Sequence, residues 1–146
     1  MKAFRKEAQG SGIPVLDWSC GPTGYESGTA AAALLSQGID GAFCVTDLLA
    51  LGFLDAARYR HGLAVPDALS IVGFDDIPQA DWLGYRLTTV RQPLEAMAEA
   101  VVRLLDRPHP SRDAPEIERL VLLVTLIERG TVRARPIQDS RQDNRR

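Results

Sequence analysis

Apolar and polar positions fall into blocks that read alternately as helix and strand. Residues 2–9 are polar and helix-permissive, and Gly10-Ser11-Gly12 breaks the chain after them. Residues 13–16 (Ile13-Pro14-Val15-Leu16) predict a short strand, followed by a loop through Cys20 and Gly24. Residues 25–37 predict a helix, because Ala30 to Leu35 are strong helix formers and Gly38 supplies a stop. The apolar run 41–45 is too short for a helix and predicts a buried strand. Thr46 or Asp47 then caps a helix over 48–61, closed by Gly62.

Residues 69–74 predict a third buried strand ending at Asp75-Asp76, and 88–90 a fourth. Pro93 stands at a helix N1 position, and Leu94, Met97, Ala98, Val101, Leu104 and Leu105 form one apolar stripe at helical spacing. Residues 106–116, with three prolines, predict a loop, and 120–127 a last strand. The fold class is α/β. Apolar strands alternating with helices predict a doubly wound, mostly parallel sheet covered on both faces. In such sheets ligands sit at the carboxyl ends of the strands. Three polar clusters fall at such ends: Asp17-Trp18, Thr46-Asp47 and Asp75-Asp76.

Composition narrows the classes. At 45% hydrophobic and 25% charged residues, the chain is globular rather than disordered. No apolar run approaches the ~20 residues needed to cross a bilayer, and the first residues lack the apolar core of a signal peptide, so a cytoplasmic location is expected. Net charge is −2, against a nucleic-acid binder. Beyond Gly130, five arginines face two aspartates, giving a basic segment expected to be solvated. The expected organisation is one lobe over 1–133 and a loose polar tail over 134–146. Cys20 and Cys44 suggest neither a disulfide nor a zinc site.

Candidate chemistry is sparse. Asp75-Asp76 could hold Mg²⁺ as in receiver domains, but no third acid or lysine follows at a later strand end. One of the pair could instead cap the segment 77–83, or accept hydrogen bonds from ligand hydroxyls. Asp47 reads most simply as an N-cap. Trp18 is either core or an apolar platform for a sugar ring. Gly21-Pro22-Thr23-Gly24 lacks phosphate-loop spacing, and neither His61 nor His109 has a nucleophile beside it. No catalytic constellation is present, no metal or cofactor is expected, and the chain reads as a non-enzyme.

Four segments carry a resemblance. Gly41-Ala42-Phe43-Cys44-Val45-Thr46-Asp47-Leu48, Val65-Pro66-Asp67 through Gly73-Phe74-Asp75-Asp76-Ile77, Leu87-Thr88-Thr89-Val90-Arg91-Gln92-Pro93-Leu94, and residues 122–132 stand in order and at the right spacing. Together they resemble the C-terminal part of the effector-binding core of LacI/GalR-type transcriptional regulators. The resemblance implies a periplasmic-binding-protein-like lobe that takes a sugar-like effector in a cleft, acts allosterically in a homodimer, and touches DNA only through an N-terminal helix-turn-helix domain absent from this chain. It assigns effector contacts to Trp18, Thr46, Asp75, Gln92 and Leu94. Thr46 departs from the family, where asparagine is usual; a hydroxyl has less reach than an amide and makes fewer paired contacts. The helix beginning near Pro93 would pack on a partner lobe, so its stripe should be partly uncovered. A fragment of a periplasmic sugar-binding protein of the same fold is the alternative, and a Mg²⁺-binding or enzymatic α/β domain a third.

Overall fold

The computed structural model describes residues 2–19, 21–106 and 119–133. Its elements run α1 (Lys2–Gly10), α2 (Tyr25–Ala31), β1 (Gly41–Phe43), α3 (Asp47–Asp55), β2 (Ser70–Asp75), β3 (Thr88–Arg91), α4 (Leu94–Leu105) and β4 (Thr125–Ile127). A 3-10 helix over Ala32–Gln37 continues α2, a π-helical turn over Ala56–Arg60 continues α3, and a 3-10 turn covers Pro78–Asp81. The sheet order is β1-β2-β3-β4. The first three strands are parallel, and β4 is antiparallel to β3.

The α/β architecture and mostly parallel sheet agree with the sequence pattern. The helix predicted over 25–37 is present but tightens into 3-10 geometry from Ala32, and Gly38 closes it at φ 74°. That left-handed conformation favours glycine. Gly62 ends the π-helical turn in the same way, at φ 64°. Pro93 precedes α4 as its cap residue rather than its first helical position, a one-residue difference.

Two strand predictions are corrected. Residues 13–16 form no regular element and pair with no described strand, and Ile13 and Leu16 are exposed. This segment is held from α1 instead: Ile13 N–H donates to the Ala8 carbonyl at 2.9 Å, and Arg5 pairs with Asp17. β-propensity in a short apolar run does not by itself secure a place in the sheet: the outer edge of β1 carries no partner among the described residues, yet this segment stays on α1. Of residues 120–127 only Thr125–Ile127 joins the sheet, while Leu120, Val121, Leu123 and Val124 remain exposed. The predicted loop over 106–116, apart from Asp106, and the tail over 134–146 lie outside the described residues.

One sheet face is packed. Ala42, Cys44 and Ile71 alternate inward onto a core of Ala50, Leu51, Phe53, Leu54 and Leu69. Two glycines bring α2 and α3 together: a Cβ on Gly28 would overlap the Leu49 carbonyl, and one on Gly52 the Tyr25 carbonyl. The other face carries Phe43, Val72 and Phe74, half-buried. Among the described helices, α1 reaches it by stacking Phe4 on Phe43, ring centroids 5.0 Å apart. The doubly wound expectation is thus met fully on one face and only by α1 on the other.

The stripe of α4 is uncovered. Leu94 is 67% exposed and Leu105 76%, Met97, Val101 and Leu104 are also exposed, and Ala100 alone on this helix is buried. The helix makes only slight contact with the other described elements.

Candidate functional site

The carboxyl ends of β1, β2 and β3 lie side by side. Phe43 is registered with Val72, and Asp75 with Arg91. Thr46 and Asp75 each stand three residues beyond the Phe43–Val72 pair, and Gln92 one residue beyond Arg91. Neighbouring strands are about 4.8 Å apart, so these three residues occupy one level of one sheet edge.

Thr46 is extended at φ −143° and is the N-cap of α3. Its Oγ1 accepts the Leu49 N–H at 3.3 Å and donates to the Thr23 carbonyl at 2.9 Å. The second bond ties the loop after Trp18 to the end of β1. Asp47 is therefore not the cap. It is fully buried; its Oδ1 accepts the Thr89 hydroxyl at 2.5 Å and its Oδ2 the Ile77 N–H at 2.9 Å. Neither Asp75 nor Asp76 caps the following 3-10 turn, whose cap residue is Ile77 and which has no side-chain cap bond. Gly73 makes room for this carboxylate: a Cβ there would overlap Asp47 Oδ1. Asp47 thus joins the start of α3 to β3 and to the turn after β2. Propensity suggested a cap because cap and clamp demand the same residue type after a strand.

Asp75 and Asp76 both have positive φ, 123° and 61°. Non-glycine residues in such conformations cost about 1–3 kcal/mol and persist where surrounding contacts hold them. Here Gln92 Nε2 donates to Asp75 Oδ1 at 2.7 Å. Asp76 receives Arg91 Nε at 2.6 Å and Arg129 Nη2 at 2.7 Å. Burial alone would raise the Asp76 carboxyl, but the hydrogen bonds and charges of Arg129 and Arg91 outweigh it and hold the group below its ordinary value. Arg129 also gives Nη1 to the Leu87 carbonyl and Nε to Asp81, which in turn pairs with Arg86. A carboxylate engaged by two guanidiniums is a poor ligand for Mg²⁺, and no cluster of three metal-ligating side chains occurs among the described residues.

Of the residues singled out in the sequence, Asp75 and Gln92 are in direct contact, and Thr46 lies at their level. Trp18 is 44% exposed on the irregular segment before the 21–24 loop, and no hydrogen bond or ring contact joins it to them. Leu94 donates its backbone N–H to the Gln92 carbonyl, while its side chain faces solvent. Sequence reasoning missed Asp47 as a clamp and missed Arg91 and Arg129 altogether. Nothing local marks Arg129, since its partners lie 42 to 53 residues away.

Cys44 is buried next to this region; burial, with a contribution from the Asp47 charge, pushes its thiol up to about 12. It is inert at neutral pH. Cys20 lies outside the described residues.

A polar rim at the carboxyl ends of parallel strands is where α/β proteins of this architecture place small-molecule ligands. A family model described as a periplasmic binding protein-like domain matches residues 1–132. The chain belongs to that family, and within it to the effector-binding domains of LacI-type transcriptional regulators. It is 41% identical over 112 residues to the HTH-type transcriptional regulator MalR of Streptomyces coelicolor, covering 76% of this chain and 32% of MalR. It thus spans about a third of that relative's length. A LacI-family transcriptional regulatory protein from Corynebacterium glutamicum superposes with TM-score 0.73 at 31% identity, covering 92% of this chain and 52% of that one. A transcriptional regulator CelR–cellobiose complex gives TM-score 0.75 at 31% identity, covering 89% of this chain and 41% of CelR. These relatives are regulators, which points away from catalysis. No described helix is long and apolar enough to cross a membrane.

Proposed function

We propose that this chain is the effector-sensing lobe of a cytoplasmic LacI-type regulator, that it takes a sugar-like molecule on the Thr46–Asp75–Gln92 rim with Trp18 and Leu94 at its margins, and that it works as a homodimer. DNA contact would fall to a helix-turn-helix domain. The observation that carries the reading is the Asp75–Gln92 hydrogen bond at the carboxyl ends of β2 and β3, on a dipeptide held at positive φ. The cellobiose complex of CelR supports a sugar as the ligand class. Effector binding that favours one arrangement of lobes would alter operator affinity by linkage.

Amide chemical-shift titration of the chain with cellobiose and maltose tests this. Saturable shifts centred on Thr46, Asp75 and Gln92, abolished by Asp75→Ala, are expected. Shifts scattered over the surface, or unaffected by Asp75→Ala, would remove the rim as the effector site.

A further inference from the structure

We infer that the Asp75-Asp76 dipeptide passes the state of the strand-end rim to the exposed turn at 78–86, with Arg129 as the rigid link between them. The trigger rests on the effector-sensing reading above; the coupling itself is a property of this lobe and is testable without a ligand.

Residues 75–76 are tied to 91–92 by two bonds. Gln92 Nε2 donates to Asp75 Oδ1 at 2.7 Å, and Arg91 Nε donates to Asp76 Oδ2 at 2.6 Å. Both aspartates lie at positive φ, a conformation that residues other than glycine keep only where their surroundings hold them. The peptide unit that joins them is planar and rigid, so rotation at one swings the other. A ligand that draws Gln92 or Asp75 to itself breaks the first bond and frees Asp75 to leave its strained conformation. Its preference for that second arrangement is what shifts the dipeptide.

Asp76 carries the change outward. Its Oδ1 accepts Arg129 Nη2 at 2.7 Å. Arg129 also gives Nη1 to the Leu87 carbonyl at 2.8 Å and Nε to Asp81 Oδ1 at 3.1 Å. A guanidinium is a planar fork with fixed donor directions, so it cannot follow a displaced Asp76 and keep both other bonds. Asp81 Oδ1 accepts Arg86 Nη1 as well, and the Arg86 carbonyl accepts the N–H of Gly130, the residue after Arg129. Asp81 and Arg86 are the two ends of a short loop that exposes Trp82 and Leu83 and stacks Trp82 on Tyr85, ring centroids 6.4 Å apart. Rearrangement at Arg129 therefore reaches an exposed aromatic surface.

Amide resonances of Trp82, Tyr85 and Arg86, with the Trp82 indole N–H, read the coupling in the full chain. Gln92→Ala removes the partner of Asp75 without any ligand and should shift them. Arg129→Met should abolish that response. Asp81→Ala, at an exposed position, should reduce it by about half or more, because the coupled groups act as one network. A turn that ignores Gln92→Ala, or responds equally in Arg129→Met and Asp81→Ala, would overturn the inference. If Arg129→Met does not fold, Asp81→Ala decides alone. Titration with cellobiose and maltose then supplies the trigger: shifts at Thr46, Asp75 and Gln92 should be accompanied by shifts at Trp82. Rim shifts with a silent turn would overturn the inference and leave the sensing reading standing. A rim that ignores both sugars, with the Gln92→Ala response intact, would overturn the sensing reading and uphold the coupling.

Discussion

Asp76 and Arg129 stand 53 residues apart in the chain and meet at 2.7 Å, with side chains only 6% and 8% exposed. Through this pair the segment after β4 is fastened to the turn after β2. Gly130 and Thr131 extend the attachment. The Gly130 N–H donates to the Arg86 carbonyl, and the buried Thr131 hydroxyl accepts from Thr88 N–H and donates to the Ile71 carbonyl. The candidate rim residue Asp75 is immediately next to this fastening.

Asp76→Asn and Arg129→Met should each destabilise the fold by about 2–3 kcal/mol, less than the 3–5 of a fully buried pair because Arg91 and Asp81 are exposed. Urea denaturation measures this. Asp76 titrates below its ordinary value when folded. Its stabilisation is therefore fully present above the ordinary carboxylate range and lost as pH falls through the lower, folded value. Asp76→Asn should flatten that part of the stability-versus-pH curve; an unchanged acid limb would deny Asp76 this role.

Asp47→Ala leaves the Thr89 hydroxyl and the Ile77 N–H without their acceptor in a closed interior. A loss of about 3 kcal/mol is expected, along with changed amide shifts at Ile77 and Thr89. If Asp47 were only a helix cap, the loss would stay near 1 kcal/mol and the shifts would be confined to the first turn of α3.

Gly28→Ala and Gly52→Ala each insert a methyl into a backbone carbonyl of the facing helix. Separation of α2 from α3 should cost about 2–3 kcal/mol, toward the upper end of overpacking effects. Gly10→Ala, which meets nothing within 4 Å, is the control and should leave the melting temperature nearly unchanged. Equal melting temperatures for all three would refute the close helix contact.

The uncovered stripe on α4 should make the isolated chain associate or bind an apolar dye. Val101→Glu with Leu105→Glu should reduce scattering and dye binding without loss of secondary structure, because both side chains are already more than half exposed. A clean monomer of the unaltered chain that binds no dye would contradict the expectation.

The sequence by itself determined the order of elements, because each signal for that order is local. Helix propensity and a glycine stop gave α2 and its continuation, short apolar runs gave β1, β2 and β3, and a period of 3.6 gave the stripe of α4. It also brought out Thr46, Asp75 and Gln92, through polar residues at strand ends and the family resemblance. The tertiary structure alone decided which apolar runs join the sheet. Residues 13–16 have the composition of a strand and no strand partner among the described residues, while only three residues of 120–127 pair. It alone decided the work of the acidic residues: Asp47 became a buried clamp, Asp75 a partner of Gln92, and Asp76 the anchor of two arginines. The reason is physical. Propensity and periodicity act within a few residues, whereas a carboxylate bonds to whichever donors the fold brings to it, and here they come from 15 to 53 residues away.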